Sequence, residues 1–215
     1  MPRRFVQERR RDPYYRAAKA EGLRSRAAFK LGHLNDRFHL LPRGARVLDL
    51  GAAPGGWSVV ARAAVGTRGS VVAVDPRPID PIDGVAYVRG RVGDPRLWER
   101  LGPHAFDVVL SDMSPRISGA YATDHARSVG LVRDAMELAY VVLAPGGTFV
   151  AKVFDGDLVG DLERELALNF RSVRRTKPPA SRESSSELYV IATGFVPGPE
   201  PDVETGSNAP SSPAK

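Results

Sequence analysis

Lys152 stands inside the apolar run Phe149-Val150-Ala151-Lys152-Val153-Phe154, where an amine is expensive unless it is paired or put to use. Asp112 closes a second apolar run, residues 106–112. An unpaired carboxylate there would be costly too, so it needs a cationic or hydrogen-bonding partner. Glu187 opens a third run, Leu188-Tyr189-Val190-Ile191, and Lys30 closes Ser25-Arg26-Ala27-Ala28-Phe29-Lys30 ahead of the first strand. Taken singly, Lys30 and Glu187 read as surface charges. Amines and carboxylates brought together offer proton transfer and the orientation of a polar acceptor.

A ligand site is written just upstream. Val47-Leu48-Asp49-Leu50 runs into Gly51-Ala52-Ala53-Pro54-Gly55-Gly56-Trp57, and glycines at such a junction let the backbone turn sharply and pass close to a ligand. A dinucleotide loop would read G-x-G-x-x-G and hold a pyrophosphate. Here the second glycine of that pattern is missing and Pro54 follows, which suits a ligand without phosphate. Asp75 ends the next strand, 24 residues after Gly51, where a carboxylate can accept from both hydroxyls of an adenosine ribose. Trp57 either packs against the ligand or plugs the core. Asp94 either caps the helix that starts at Pro95 or meets an adenine, and the cap is the preferred reading.

These residues need a scaffold that collects strand ends on one edge. β-Branched runs are predicted as strands at residues 46–51, 70–75, 85–89, 106–112 and 148–154, with two more at 173–176 and 187–193. Apolar positions at helical spacing (Leu131, Ala135, Leu138, Val142) predict a helix over 124–143, with Asp124 as its N-cap and Pro145-Gly146-Gly147 as its stop. A second helix is predicted over 157–168. Continuous Val/Ile/Leu runs alternating with helices imply an α/β fold: a Rossmann-like, mostly parallel seven-stranded sheet with helices on both faces. The last strand is expected to pair antiparallel. Ligands then bind beyond the carboxyl ends of the strands.

Composition narrows the class. With 215 residues and 42% apolar content, the chain fits one domain, expected at 13–195 between a basic arm (1–12) and a disordered tail (196–215). No run of about 18 apolar residues predicts a membrane span, and the N-terminus lacks the apolar stretch of a secretory signal, so a cytoplasmic protein is expected. Zero cysteines exclude thiolate chemistry, and the four histidines show no metal-ligand spacing. Of the net charge of +6, residues 1–30 carry ten Lys/Arg against three acids, while the remainder carries 21 bases against 22 acids. Such an arm binds polyphosphate by counterion release, whatever the base sequence. Eight of its ten bases are arginines, whose forks match phosphate oxygens.

The segments Asp49 to Trp57, Ser111-Asp112-Met113, Pro145-Gly146-Gly147, Val150 to Phe154 and Ser186-Glu187-Leu188-Tyr189 together resemble the FtsJ/RrmJ (RlmE) family of ribosomal RNA 2′-O-methyltransferases. The resemblance spans about residues 12–195. It implies S-adenosylmethionine as cofactor, a catalytic set at Lys30, Asp112, Lys152 and Glu187, and cofactor contacts at Gly55, Trp57, Asp75 and Asp112. It also implies large-subunit ribosomal RNA as partner, with a uridine of the A-loop as target, for an enzyme expected to act as a monomer. The family often carries an acid where Arg91 stands, so Asp94 or a backbone group is left to meet the adenine. Ser111-Asp112-Met113-Ser114-Pro115 stands at the end of the fourth predicted strand in place of the Asn/Asp-Pro-Pro-aromatic pattern that grips a planar amino group, which favours a hydroxyl acceptor. Two other readings are a transfer-RNA 2′-O-methyltransferase and a non-catalytic ribosome-assembly factor; the second has no need of a buried Lys152.

Overall fold

The computed structural model describes residues 24–180 and 185–198, so the basic arm and the chain beyond 198 lie outside the described residues. Seven strands form one sheet in the order β3-β2-β1-β4-β5-β7-β6. They are β1 (Arg46–Leu50), β2 (Ser70–Asp75), β3 (Val85–Arg89), β4 (Phe106–Ser111), β5 (Leu143–Phe154), β6 (Phe170–Thr176) and β7 (Glu187–Phe195). The first five run parallel, and β7 is antiparallel to both β5 and β6. Among the described residues, five helices cover the sheet: α1 (Ala27–Phe38), α2 (Gly56–Val65), α3 (Pro95–Leu101), α4 (Tyr121–Val142) and α5 (Val159–Ala167).

Side chains alternate across a strand, and that alternation splits the core in two. Leu48, Val109, Phe149, Ala151 and Val153 meet α3, α4 and α5 through Leu97, Val132, Leu138 and Leu162. Val47, Val108, Val150, Tyr189 and Ile191 meet α1 and α2 through Leu31, Leu34, Trp57 and Ala61. Lys152 is two residues from Val150, and is paired across the sheet with Tyr189, so it shares the α1/α2 face. That parity lets an amine on β5 and an amine on α1 approach the same carboxylates.

Several predicted boundaries move. Helix α4 begins at Tyr121 and not at Asp124, because the Asp124 carboxylate accepts from the Ser118 and Gly119 amides and the Ser118 hydroxyl, stapling the preceding loop onto the first turn. Pro145-Gly146-Gly147 does not lie outside the sheet: Leu143 already pairs with Phe106, and the register then shifts before Val108 meets Thr148. Gly51 and Asp112 fall just past their strands, β6 starts earlier at Phe170, and β7 continues to Phe195. The antiparallel last strand is as expected.

Candidate active site

The strand order reverses between β1 and β4, whose ends are level at Leu50 and Ser111. A cavity of about 850 Å³ opens beyond them, lined by the glycine turn, by Asp75 and Arg77 after β2, by residues 90–94 after β3, and by Asp112 to Ser114 after β4. Its size is ordinary for a small-molecule site.

The glycine turn is built by close packing. Gly51 has φ +73, and a Cβ there would lie 2.5 Å from Met113 Cγ, inside the cavity wall. Gly55 has φ +105, and its missing side chain makes room for Ile82 and Arg24. Gly55 itself is not among the residues lining the cavity, so its part is to aim the chain into α2. Trp57 is buried; its Nε1 donates to the Ala27 carbonyl at 2.8 Å, and its ring lies 5.6 Å from Tyr189. It borders the cavity and, through its bond to Ala27, ties α1 to α2.

Asp75 sits in its expected place but not with free oxygens. Its carboxylate accepts from the Ala53 amide (3.0 Å), the Arg77 amide (2.8 Å) and Arg77 Nε (3.2 Å). The Arg77 side chain is 71% exposed, so it can swing off the outer face of Asp75 at little cost and free lone pairs there. Asp94 caps α3 by accepting from the Arg96 amide at 3.0 Å, and it lines the cavity as well.

Asp49 is a residue that the sequence reading did not single out. It is wholly buried, Oδ2 accepts from Ser58 at 2.6 Å, and Oδ1 has no partner, which makes it the one orphaned buried side-chain oxygen among the described residues. Burial raises its carboxyl to about 7 against the hydrogen bond from Ser58, and the nearby Asp112 and Asp75 charges add to the rise. An unpaired buried acceptor on a cavity wall suits a cationic or N–H-bearing ligand. The available signal was position: an acid stands one residue before the end of the strand that feeds the glycine turn.

At the cavity's far edge the four predicted side chains meet. Lys152, 7% exposed, donates to the Asp112 carbonyl at 2.9 Å and pairs with Asp112 Oδ1 at 3.1 Å. Lys30, on α1, forms an ion pair with Glu187. Burial alone would raise the Glu187 carboxyl, but the charges of Lys30 and Lys152 outweigh it and hold the group below the ordinary glutamate range. Tyr189 completes the cluster unforeseen. Its hydroxyl donates to Asp112 Oδ1 at 2.9 Å, and Lys30 Nζ lies 5.7 Å from its ring. Burial, with Asp112 and Glu187 nearby, pushes the phenol well above its usual value, so it stays a donor. Among the described residues there is no group of three or more His, Cys, Asp or Glu able to hold a metal, and no helix long and apolar enough to cross a membrane.

A sheet of this order, with a glycine turn, a strand-end acid and a buried lysine on one edge, defines a Rossmann-like methyltransferase. The family model of FtsJ-like methyltransferases matches residues 23–195, and the chain belongs to that family. It is 48% identical over 201 residues to the ribosomal RNA large subunit methyltransferase E of Gluconobacter oxydans (90% of this chain, 73% of that one). It is 50% identical over 200 residues to the protein of the same name from Paramagnetospirillum magneticum (89% and 82%). A ribosomal RNA methyltransferase from Plasmodium falciparum superposes with a TM-score of 0.72 at 28% identity, covering 81% of this chain and all of that one.

Proposed function

We propose that this protein transfers a methyl group from S-adenosylmethionine to a ribose 2′-hydroxyl of large-subunit ribosomal RNA, at a uridine of the A-loop, in the cytoplasm. The observation that carries the reading is the position of Lys152 Nζ: it is held twice by Asp112, which lines a cavity of about 850 Å³ beside the glycine turn. The names of the relatives supply the class of RNA.

The residues present fit the cofactor. Asp75 would take the ribose hydroxyls, residues 90–94 would border the adenine, and the orphaned Asp49 oxygen would answer the α-amino group. When bound, the cofactor supplies a methyl group made electrophilic by its sulfonium. The chain must align the acceptor oxygen and move its proton. Alignment alone can be worth roughly 7–11 kcal/mol, and positioned proton removal adds about 10²–10⁴-fold. Two tetrahedral positions of Lys152 Nζ point at Asp112. The remaining one is a lone pair if the group is an amine, and it takes the 2′-hydroxyl proton. Asp112 and Tyr189 fix Lys152 in place, while Glu187, paired with Lys30, balances the two amines. The arm of residues 1–12 grips phosphates outside the domain.

The test is incubation with labelled S-adenosylmethionine and unmodified large subunits, then mapping of alkali-resistant linkages. One labelled resistant linkage at a uridine is expected. Label on a base, or on transfer RNA alone, overturns the assignment.

A further inference from the structure

The loop from β4 to α4 carries a feature that methyl transfer does not use. Tyr121 is 64% exposed and Ile117 65% exposed, yet neither lies on a loose segment. The four hydrogen bonds from Ser118 and Gly119 to Asp124 staple residues 118–120 to the helix. The Tyr121 ring stacks on His125 (centroids 6.2 Å apart, planes 13° from parallel), and its hydroxyl donates to the Asp155 carbonyl at 2.6 Å.

His125 is itself immobile. Nδ1 meets the Phe154 carbonyl at 3.0 Å, and Nε2 accepts from the Leu158 amide at 3.1 Å. A carbonyl only accepts and an amide only donates, so the ring is neutral with its proton on Nδ1. The backbone at Gly156 packs against it, since a Cβ there would lie 2.7 Å from the ring. One face of Tyr121 is thus backed by a fixed ring while the phenol remains largely open to solvent. A tyrosine that served packing alone would bury its ring.

Its place in the sheet gives it an occupant. Asp155, which Tyr121 holds, follows Lys152 by three residues, about 10 Å along extended chain. On the other side Met113, Ser114 and Arg116 line the cavity, and Ile117 continues from them. We propose that Tyr121, on the same stapled segment as Ile117, is the platform on which a base of the acceptor RNA stacks, next to the nucleotide presented to Lys152. Single-stranded RNA is held in this way, by bases on aromatic faces with arginine nearby for phosphate. Asp155, whose carbonyl takes the ring's hydroxyl, is exposed, so a neutral base fits there better than a phosphate, and Arg116 is the phosphate ligand. The inference rests on the RNA methylation reading and adds a substrate contact to it.

The test compares wild type, Tyr121→Ala and Tyr121→Phe in methyl transfer to unmodified large subunits, in binding of fluorescent single-stranded oligoribonucleotides, and in calorimetric cofactor binding. Stacking predicts that Tyr121→Ala raises KM and the RNA Kd by about 5- to 100-fold, with kcat and cofactor affinity within twofold, and that Tyr121→Phe stays within about twofold of wild type. The platform is overturned if Tyr121→Ala binds RNA like wild type, if it lowers only kcat, or if Tyr121→Phe is as weak as Tyr121→Ala, since that last result assigns the residue to pinning Asp155. Wild type that binds RNA through Tyr121 but transfers no methyl group sinks the methylation reading and keeps the platform. Methyl transfer unaffected by Tyr121→Ala sinks the platform alone.

Discussion

The two sides of the cleft are built differently. On the side proposed to hold the nucleoside, the cavity is lined by short stretches of chain: residues 51–54 with 56–57, 75–77 and 90–94. On the acceptor side, Lys30, Asp112, Lys152, Glu187 and Tyr189 come from α1, the end of β4, β5 and β7, and the Lys30–Glu187 pair spans 157 positions. The first side depends on turn geometry, which a local sequence can specify. The second depends on sheet register. A one-residue slip of β7 against β5 would carry Tyr189 from the α1/α2 face to the other and dissolve the cluster.

This contrast makes the acceptor side all-or-none and the nucleoside side graded. The largest effect is expected from Lys152→Ala: loss of at least about 10²-fold in kcat, with cofactor affinity measured by calorimetry little changed, because Lys152 lies outside the cavity lining. Lys152→Arg keeps a cation but not basicity, so near-full activity in that variant would falsify the general-base role. Next comes Asp75→Ala, which removes a charge-assisted acceptor and should weaken cofactor binding about 10- to 100-fold, while methyl transfer recovers at saturating cofactor. A kcat defect that saturation does not relieve would erase the distinction between the two sides.

A smaller effect is expected outside the described residues. Deleting residues 1–11 removes five arginines. RNA binding should weaken about tenfold near physiological salt, and the slope of log K against log salt should flatten. Cofactor affinity should not move. An unchanged slope would refute a phosphate-binding arm.

What the sequence disclosed follows the same division. The strand ends, the glycine turn, Asp75 and Asp94 could be read because each is a local signal in a run of a few residues. Lys152 and Asp112 could be suspected from their cost in apolar strands, but only the family resemblance joined them to Lys30 and Glu187, since nothing local says that α1 packs beside β7. Tyr189 was hidden because an aromatic in an apolar strand looks like core, which its ring is; its hydroxyl is the end that reaches Asp112. Asp124 was misread as a cap because its bonds run back to Ser118 and Gly119 and not forward to the helix. Asp49 passed unnoticed for the opposite reason: its place before the glycine turn was visible, but that its buried oxygen lacks a partner was not.

That deficit yields the subtlest prediction and the one that bears most on how the nucleoside side works. The Asp49 carboxyl is held at about 7, well above the ordinary aspartate value, chiefly by burial. A group raised on folding binds its proton more tightly in the folded chain, so its contribution to stability is full at low pH. That contribution is lost as pH climbs from the unfolded value through about 7. Above this point the empty protein carries a buried, half-partnered anion. Asp49→Asn keeps an acceptor for Ser58 and removes the charge, so its melting temperature should exceed that of wild type by a few degrees at pH 8 and by less at pH 5. Cofactor should invert the ranking, since its cationic amino group pairs with the ionised form: wild type should bind more tightly as pH rises from 6 to 8, approaching tenfold per unit below 7, while Asp49→Asn stays flat. If the two proteins show parallel pH profiles, empty and loaded, Asp49 is an ordinary core residue and the nucleoside side is held by backbone turns and Asp75 alone.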